Sequence, residues 1–404
     1  MTATLAALVL GVPAAAGASS GGAGAGGTPA PVTQRASGPN PFTGRAMWIW
    51  ELPASNGGNL SSVVSRAQAH GIRTLMIKSS DGSGMWSQFT PALVSALHAN
   101  GLRVCAWQYV YGSAPGAEAR AGATAVKDGA DCLIIDAEAE YEGKYVQAQN
   151  YVSQLRKQIG NGFPVALAGF PYVDYHPAFP YSIFLGPGGA QYNVPQMYWQ
   201  DIGVSVDAVY AHTYRFNRVF GRPIFPLGQI YNSPSPAAIV RFRELSLAYG
   251  ATGVSWWDWQ EGGARQWNAL AQPLGSLAGF APVKGLASVG RGAAGDLVVW
   301  AQEHLVTAGQ RIPVDGSFGA GTQSAVRRLQ RAHGLAASGL IDATTWQILL
   351  RFRPAYVHWA LHKAGIRAAS IASADGTTMV PASASRPAVR NELAGHGGRG
   401  RPSR

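Results

Sequence analysis

The run Cys132-Leu133-Ile134-Ile135-Asp136-Ala137-Glu138 decides the fold. Three aliphatic residues lead without interruption into two carboxylates set two positions apart. A continuous apolar run belongs to a strand covered on both faces, as in a parallel sheet. Three similar runs precede it: AMWIW (46–50), TLMIK (74–78) and RVCAWQY (103–109). Four follow: PVALAGF (164–170), NVPQMYW (193–199), PIFPLGQI (223–230) and GVSWWDW (253–259). Helical patterns fill the intervals, among them SSVVSRAQAHG (61–71), PALVSALHANG (91–101) and PAAIVRFRELSLAYG (236–250). Each of these three ends in Gly, as a helix C-terminus should. Eight strand–helix units in about 235 residues match the size of a closed (β/α)8 barrel of the TIM type. The expected fold class is therefore α/β, a barrel over residues 45–280, with a doubly wound open sheet as the competing architecture.

In such a barrel the active site lies at the C-terminal ends of the strands. Polar and aromatic residues gather there: Trp50 and Glu51, Lys78, Gln108 and Tyr109, then Asp136 and Glu138. Later strand ends add Tyr172, Gln196, Tyr198, Gln229, Trp257 and Trp259. The set suits a cleft for an uncharged, ring-shaped polymer unit. Residues i and i+2 of a strand face one side, with backbones about 6.6 Å apart, so Asp136 and Glu138 can reach one bond. Glycoside hydrolysis needs a protonated acid for the leaving oxygen and an anion beside the developing positive charge. Partial burial and a charged neighbour would raise the pKa of Glu138 for the acid role, leaving Asp136 as the stabilising or nucleophile-orienting carboxylate. The competing reading is a solvated strand end, because Glu140 and Glu142 continue the acidic run. Trp257 and Trp259 share one face of the last strand and are expected to stack on sugar rings, unless that face packs under a helix.

Composition narrows the field. Hydrophobic residues make up 47% and charged residues 13% of 404 residues, enough apolar material for a core and too little charge for a disordered chain. Two cysteines exclude a disulfide-built scaffold and any Cys-rich zinc module. Cys105 and Cys132 fall on neighbouring expected strands, with buried free thiols the default and a bridge the alternative. His358 and His362 have helical spacing but lack the Glu of a zinc motif, so no metal is implied. No G-x-S-x-G elbow occurs, which leaves a serine hydrolase unsupported. The net charge of +11 lies mostly in the last third of the chain. A basic end on a near-neutral body reads as a tether to an anionic surface, and no nucleic-acid-binding motif accompanies it.

The pair Asp136 and Glu138, with Gln196-Met197-Tyr198-Trp199 at a later strand end, resembles the glycoside hydrolase family 25 lysozymes and related barrels. Gly253-Val254-Ser255-Trp256-Trp257 is similar to the last strand of family 18 chitinases, although Ile134 stands where that family's motif has Asp. Where the lysozyme pattern has an Asp within the first strand, this chain offers Glu51 near the strand's end. Residues 286–352 resemble the three-helix peptidoglycan-binding domain of cell-wall hydrolases. The residues concerned are Gly295-Asp296, Val314-Asp315-Gly316-Ser317-Phe318-Gly319, Thr322, Leu329-Gln330, His333-Gly334-Leu335 and Trp346. Two related turns, beginning at Asp315 and Ser338, each set Gly in a tight turn and end with Thr near a helix start.

These readings imply an exported protein that hydrolyses peptidoglycan or a related wall polysaccharide. A non-catalytic wall-binding protein with a degenerate barrel is the alternative, because Gln229 stands where a strand-seven carboxylate would. No metal or organic cofactor and no nucleic acid is expected, nor any membrane span beyond a secretion signal at residues 1–18. Residues 19–44 read as linker and 366–404 as a basic disordered tail. The expected oligomeric state is a monomer.

Overall fold

The computed structural model describes residues 40–361. The expected secretion signal, most of the linker, the basic tail and His362 lie outside the described residues. Eight parallel strands form the core: β1 (Gly44–Ile49), β2 (Ile72–Asp81), β3 (Arg103–Val110), β4 (Cys132–Ala137), β5 (Val165–Ala168), β6 (Tyr192–Asn193), β7 (Leu227–Gln229) and β8 (Gly253–Trp257). The ladder runs β6-β5-β4-β3-β2-β1-β8-β7. Parallel bridges Asn193–Ile224 and Gln196–Leu227 join its two ends and close the ring. There the N–H of Phe225 donates to the Asn193 carbonyl at 2.8 Å, and that of Met197 to Leu227 at 2.8 Å. The expected barrel is present and the open sheet is not.

Two expected strands, 193–199 and 223–230, shrink to short ladders. Pro195, Pro223 and Pro226 have no N–H to give a ladder, so each leaves a missing donor that interrupts the regular pairing of its segment. Short helices cover the remainder, including Trp199–Ile202. The outer helices begin where side chains can cap them. Thr90 accepts from the Leu93 N–H, Ser205 from Ala208 and Ser235 from Ala238. Pro91 and Pro236 follow two of these caps, at positions that need no N–H donor.

Alternation along the strands splits the apolar residues into two populations. Trp48, Met76, Cys105, Trp107, Ile134, Ala166 and Leu227 fill the barrel interior. Met47, Leu75, Val104, Leu133, Ile135 and Trp256 face the helices. Cys105 and Cys132 are register partners on β3 and β4, both pointing inward, and they form a disulfide. The default of free thiols is therefore corrected, since parallel register brings the two Cα atoms to 4.6 Å.

The C-terminal module has three helices, Asp296–Thr307, Ala320–Ala332 and Ala343–Leu349. Each repeated turn is held by one buried glutamine. Gln302 accepts from the Asp315 and Gly316 N–H groups and donates to Thr322 Oγ1 at 3.1 Å. Gln330 does the same with the Gly339 N–H and Thr345 Oγ1. The module is seated against the barrel. The Asp296 carboxylate accepts from Tyr145 Oη at 2.9 Å, the Ser182 N–H at 2.8 Å and Ser182 Oγ at 2.7 Å. Trp300 Nε1 donates to the Val219 carbonyl at 2.8 Å. Gly295, with φ of +110°, allows this approach: a Cβ there would lie 2.5 Å from the Pro177 carbonyl oxygen.

Candidate active site

The mouth of the barrel is built on Asp136 and Glu138. Asp136 is the penultimate residue of β4, and Glu138 follows the strand's last residue, Ala137, still extended at φ −129° and ψ −148°. The two-residue spacing thus survives the end of the strand, and both carboxylates face the same space. One donor links them. Gln196 Nε2 lies 3.0 Å from Asp136 Oδ1 and 2.9 Å from Glu138 Oε1. Two oxygens sharing one nitrogen in this way lie within about 6 Å of each other, so they can act on one bond.

The two acids sit at different depths. Asp136 is buried and Glu138 half-buried. Burial raises the Asp136 pKa well above the ordinary carboxylate range, the charge of Glu138 adds to the rise, and Lys78 opposes it. Lys78 is itself buried, salt-bridged to Asp81 Oδ2 at 2.6 Å. Its ammonium lies 4.4 Å from the Trp86 ring centroid, 4.9 Å from Trp107 and 5.9 Å from Trp50. Three indoles and one carboxylate hold this cation in place of water.

Aromatic rings form the floor and sides. Trp257 meets Trp48 at 5.7 Å and Trp107 at 5.4 Å, with a half-buried indole. Tyr109 Oη donates to Glu140 Oε2 at 2.8 Å, and Tyr111 Oη to Asp81 Oδ1 at 2.7 Å. Burial, reinforced by Glu138, Asp136 and Glu140, pushes the Tyr109 phenol far above its usual range. Tyr198 is raised in the same way, with Tyr231, Asp136 and Glu138 contributing. Both phenols therefore remain protonated donors beside the acidic pair.

Asp136, Glu138, Trp50, Lys78, Gln196, Tyr198 and Trp257 are thus brought together at the mouth. Four other expected site residues have different environments. Gln108 faces the helices, where its side chain bonds the Gly82 and Glu118 carbonyls and Tyr151 Oη. Tyr172 stacks on His212 at 3.9 Å, beside Tyr175. Trp259 is fully buried against Trp267 at 4.7 Å, and its Nε1 donates to Asn56. Gln229 is buried and holds the Gln200 N–H at 2.9 Å. For these four, packing and internal hydrogen bonding replace the expected contact with sugar. The reason differs from case to case: Gln108 is one residue out of phase with Trp107 and Tyr109, whereas Trp259 lies beyond the end of β8, where alternation no longer applies.

Sequence reasoning missed four contributors. Asp81 and Trp86 flank a tight turn after β2, three and eight residues beyond Lys78. Glu140 reads in sequence as part of a solvated acidic run, yet it accepts from Tyr109. Asp258, next to Trp257, is fully buried, with a pKa pushed up to about 8 by burial and by Glu261. Its Oδ1 accepts from the Glu261 N–H, whereas Oδ2 has no hydrogen-bond partner among the described residues. The alternation of Trp107 with Tyr109 was the available signal for the indole behind Lys78. Among the described residues no group of three or more His, Cys, Asp or Glu is placed to hold a metal ion, and no helix is long and apolar enough to cross a membrane.

No curated protein matches the sequence. Among solved structures, a peptidoglycan-binding protein from Clostridioides difficile is 37% identical over 15% of this chain, with a TM-score of 0.15. The chain spans 39% of that protein. The spore cortex-lytic enzyme SleL of Bacillus cereus is 12% identical over 58% of this chain and 74% of its own, with a TM-score of 0.44. A chitinase from Chromobacterium violaceum is 11% identical over 57% of this chain and all of its own, with a TM-score of 0.40. The family 25 lysozymes are not among these likenesses. Residues 294–349, within the C-terminal module, match the family described as "Putative peptidoglycan binding domain".

Proposed function

We propose that the protein is a cell-wall glycosidase whose barrel cleaves peptidoglycan or a related wall glycan, held on its polymer by the C-terminal module. The observation that carries this reading is the sharing of Gln196 Nε2 by Asp136 and Glu138 above an indole floor. Two carboxyls at unequal depth divide the work. Glu138, nearer the opening, gives its proton to the glycosidic oxygen as the bond to the anomeric carbon breaks. Asp136, buried beneath and favouring the protonated form, must pass the pair's proton to Glu138 before it can stabilise as an anion the positive charge that develops on the sugar, or orient the group that attacks it. The close pair favours retention over inversion, because an inverting pair stands about 6.5–9.5 Å apart to admit water. Trp257 offers a face for the apolar side of a sugar ring.

The match of residues 294–349 supports wall polymer as the partner, and tethering would raise the barrel's effective concentration there. Export, a wall location and a monomeric state belong to the same proposal. Incubating the full chain with purified sacculi tests it: new reducing ends should accumulate with time. Sedimentation with sacculi without new reducing ends would instead favour the wall-binding alternative, in which Gln229 marks a barrel that no longer cleaves.

A further inference from the structure

A cavity of about 390 Å³ opens at the seam between barrel and module, and none of the mouth residues named above lines it. The barrel helix Tyr145–Ile159 forms one wall. The module contributes Glu303 from its first helix, and the segment after its last helix contributes Val357 and Trp359. Glu303 is only 4% exposed. Its neighbours' polar groups are otherwise engaged. Asp296 is saturated by Tyr145 and Ser182, and Arg156 bonds the carbonyls of Gly160, Phe163, Gly188 and Gly189. Gln149 is committed at both ends to the backbone of Val357 and Trp359. Among the described residues no hydrogen-bond partner meets the Glu303 carboxyl, and Glu303 lines the cavity. Val152, Ile183, Val357 and Trp359 supply apolar wall, while Lys157 lies exposed among the lining residues.

We infer that this seam cavity binds a primary ammonium carried on an aliphatic stem, the side arm of a diamino acid within a wall peptide. Glu303 receives the ammonium, the apolar walls take the methylenes, and Lys157 faces a carboxylate of the same peptide. A buried carboxyl without a partner is costly unless it stays neutral or meets a cation. Burial, with a smaller contribution from Asp296, raises the Glu303 pKa well above the ordinary range. Burial thus favours the protonated Glu303 carboxyl while the cavity lacks a cation, and an arriving ammonium favours loss of that proton to solvent. Binding should release one proton and tighten as pH rises. The choice of a wall peptide rests on the proposed function, whereas the ammonium site rests on the cavity alone.

Isothermal titration of the full chain, carrying Glu138→Gln to prevent cleavage, tests this with three probes. These are the tripeptide L-alanyl-γ-D-glutamyl-L-lysine, its Nε-acetylated form, and the simple diamine cadaverine. The expected result is saturable binding of the tripeptide, with heat that varies with buffer ionisation as one proton leaves. Acetylation and Glu303→Gln should each weaken binding roughly 10-fold or more. Cadaverine binding as tightly as the tripeptide would overturn the peptide assignment and leave an amine site. No binding of either amine, or equal binding by the Glu303→Gln chain, would overturn the inference. Reducing-end release from sacculi by the chain with Glu138 intact would then show that the glycosidase reading survives on its own.

Discussion

Lys78 shows how much one residue sets at the barrel mouth. Its charge lowers the Asp136 pKa against burial and against Glu138, so it decides how far up the pH scale the acidic pair keeps its shared proton. Replacing it by methionine removes the opposing charge, and the Asp136 pKa must rise further. The acid limb of the kcat/KM profile should therefore move to higher pH in Lys78→Met, and an unmoved limb would separate Lys78 from the pair. Gln196 is a positioning residue by the same geometry. Gln196→Ala frees two carboxylates from their common donor, and kcat should fall about 10-fold or more with a smaller change in KM, read from initial rates on soluble glycan.

Residue identity was legible at this scale only where strand phase was legible. Asp136 and Glu138 could be paired from sequence because an uninterrupted aliphatic run fixes the strand that carries them. Lys78 and Trp257 followed from the same rule. Gln108 failed because a one-residue error in phase moves a side chain from the mouth to the helix layer. Glu140 and Asp81 were hidden for another reason: Glu140 lies on a short 3-10 turn, and Asp81 ends β2 beyond a register shift between Lys78 and Ser80, so simple alternation gives the direction of neither side chain.

Among elements, the barrel strands were the most readable and the seam the least. The eight apolar runs, and the Pro and Gly residues between them, carry the barrel's order in sequence. The prolines that shorten β6 and β7 were visible too, although their cost to the ladder emerges only when the ring closes. Nothing local marks Asp296 as a contact between module and barrel. In the folded chain this carboxyl is fully buried, and burial lifts its pKa to about 7, opposed by the hydrogen bonds from Ser182 and Tyr145. Below about pH 4 it is protonated in both the folded and unfolded chains, so its contribution is then fully retained. As pH rises from about 4 to 7 the unfolded chain gives up the proton while the folded chain still holds it, and stability falls. Guanidinium midpoints should decline over this interval, and Asp296→Asn should decline less. An identical slope in the two proteins would show that Asp296 does not titrate in this way.

At the scale of the whole molecule, the barrel and the module behave as one body. Trp300 reaches the Val219 carbonyl and packs on Phe220 at 5.5 Å, while Trp359 returns to Tyr145 at 4.4 Å. Aromatic contacts of this kind bury large areas and resist separation. The described chain should therefore unfold in a single calorimetric transition, and Trp300→Ala should lower stability by about 3–5 kcal/mol. Two separate endotherms in the unaltered protein would mean that the module is merely tethered. This rigid seat would give the module a fixed bearing toward the barrel, so that a wall strand held by one domain meets the other at a constant angle. Composition pointed toward this arrangement only through the basic charge of the last third; the seating itself depends on residues far apart in sequence, 81 positions for Trp300 with Val219 and 151 for Asp296 with Tyr145.

The central claim is that Glu138 delivers a proton to a glycosidic bond in wall polymer. The most direct measurement compares kcat for reducing-end release from sacculi by the unaltered protein and by Glu138→Gln, with circular dichroism confirming that both are folded. A loss of about 10²–10⁴-fold, with sedimentation onto sacculi unchanged, is the predicted result. Undiminished release by the variant would contradict the account.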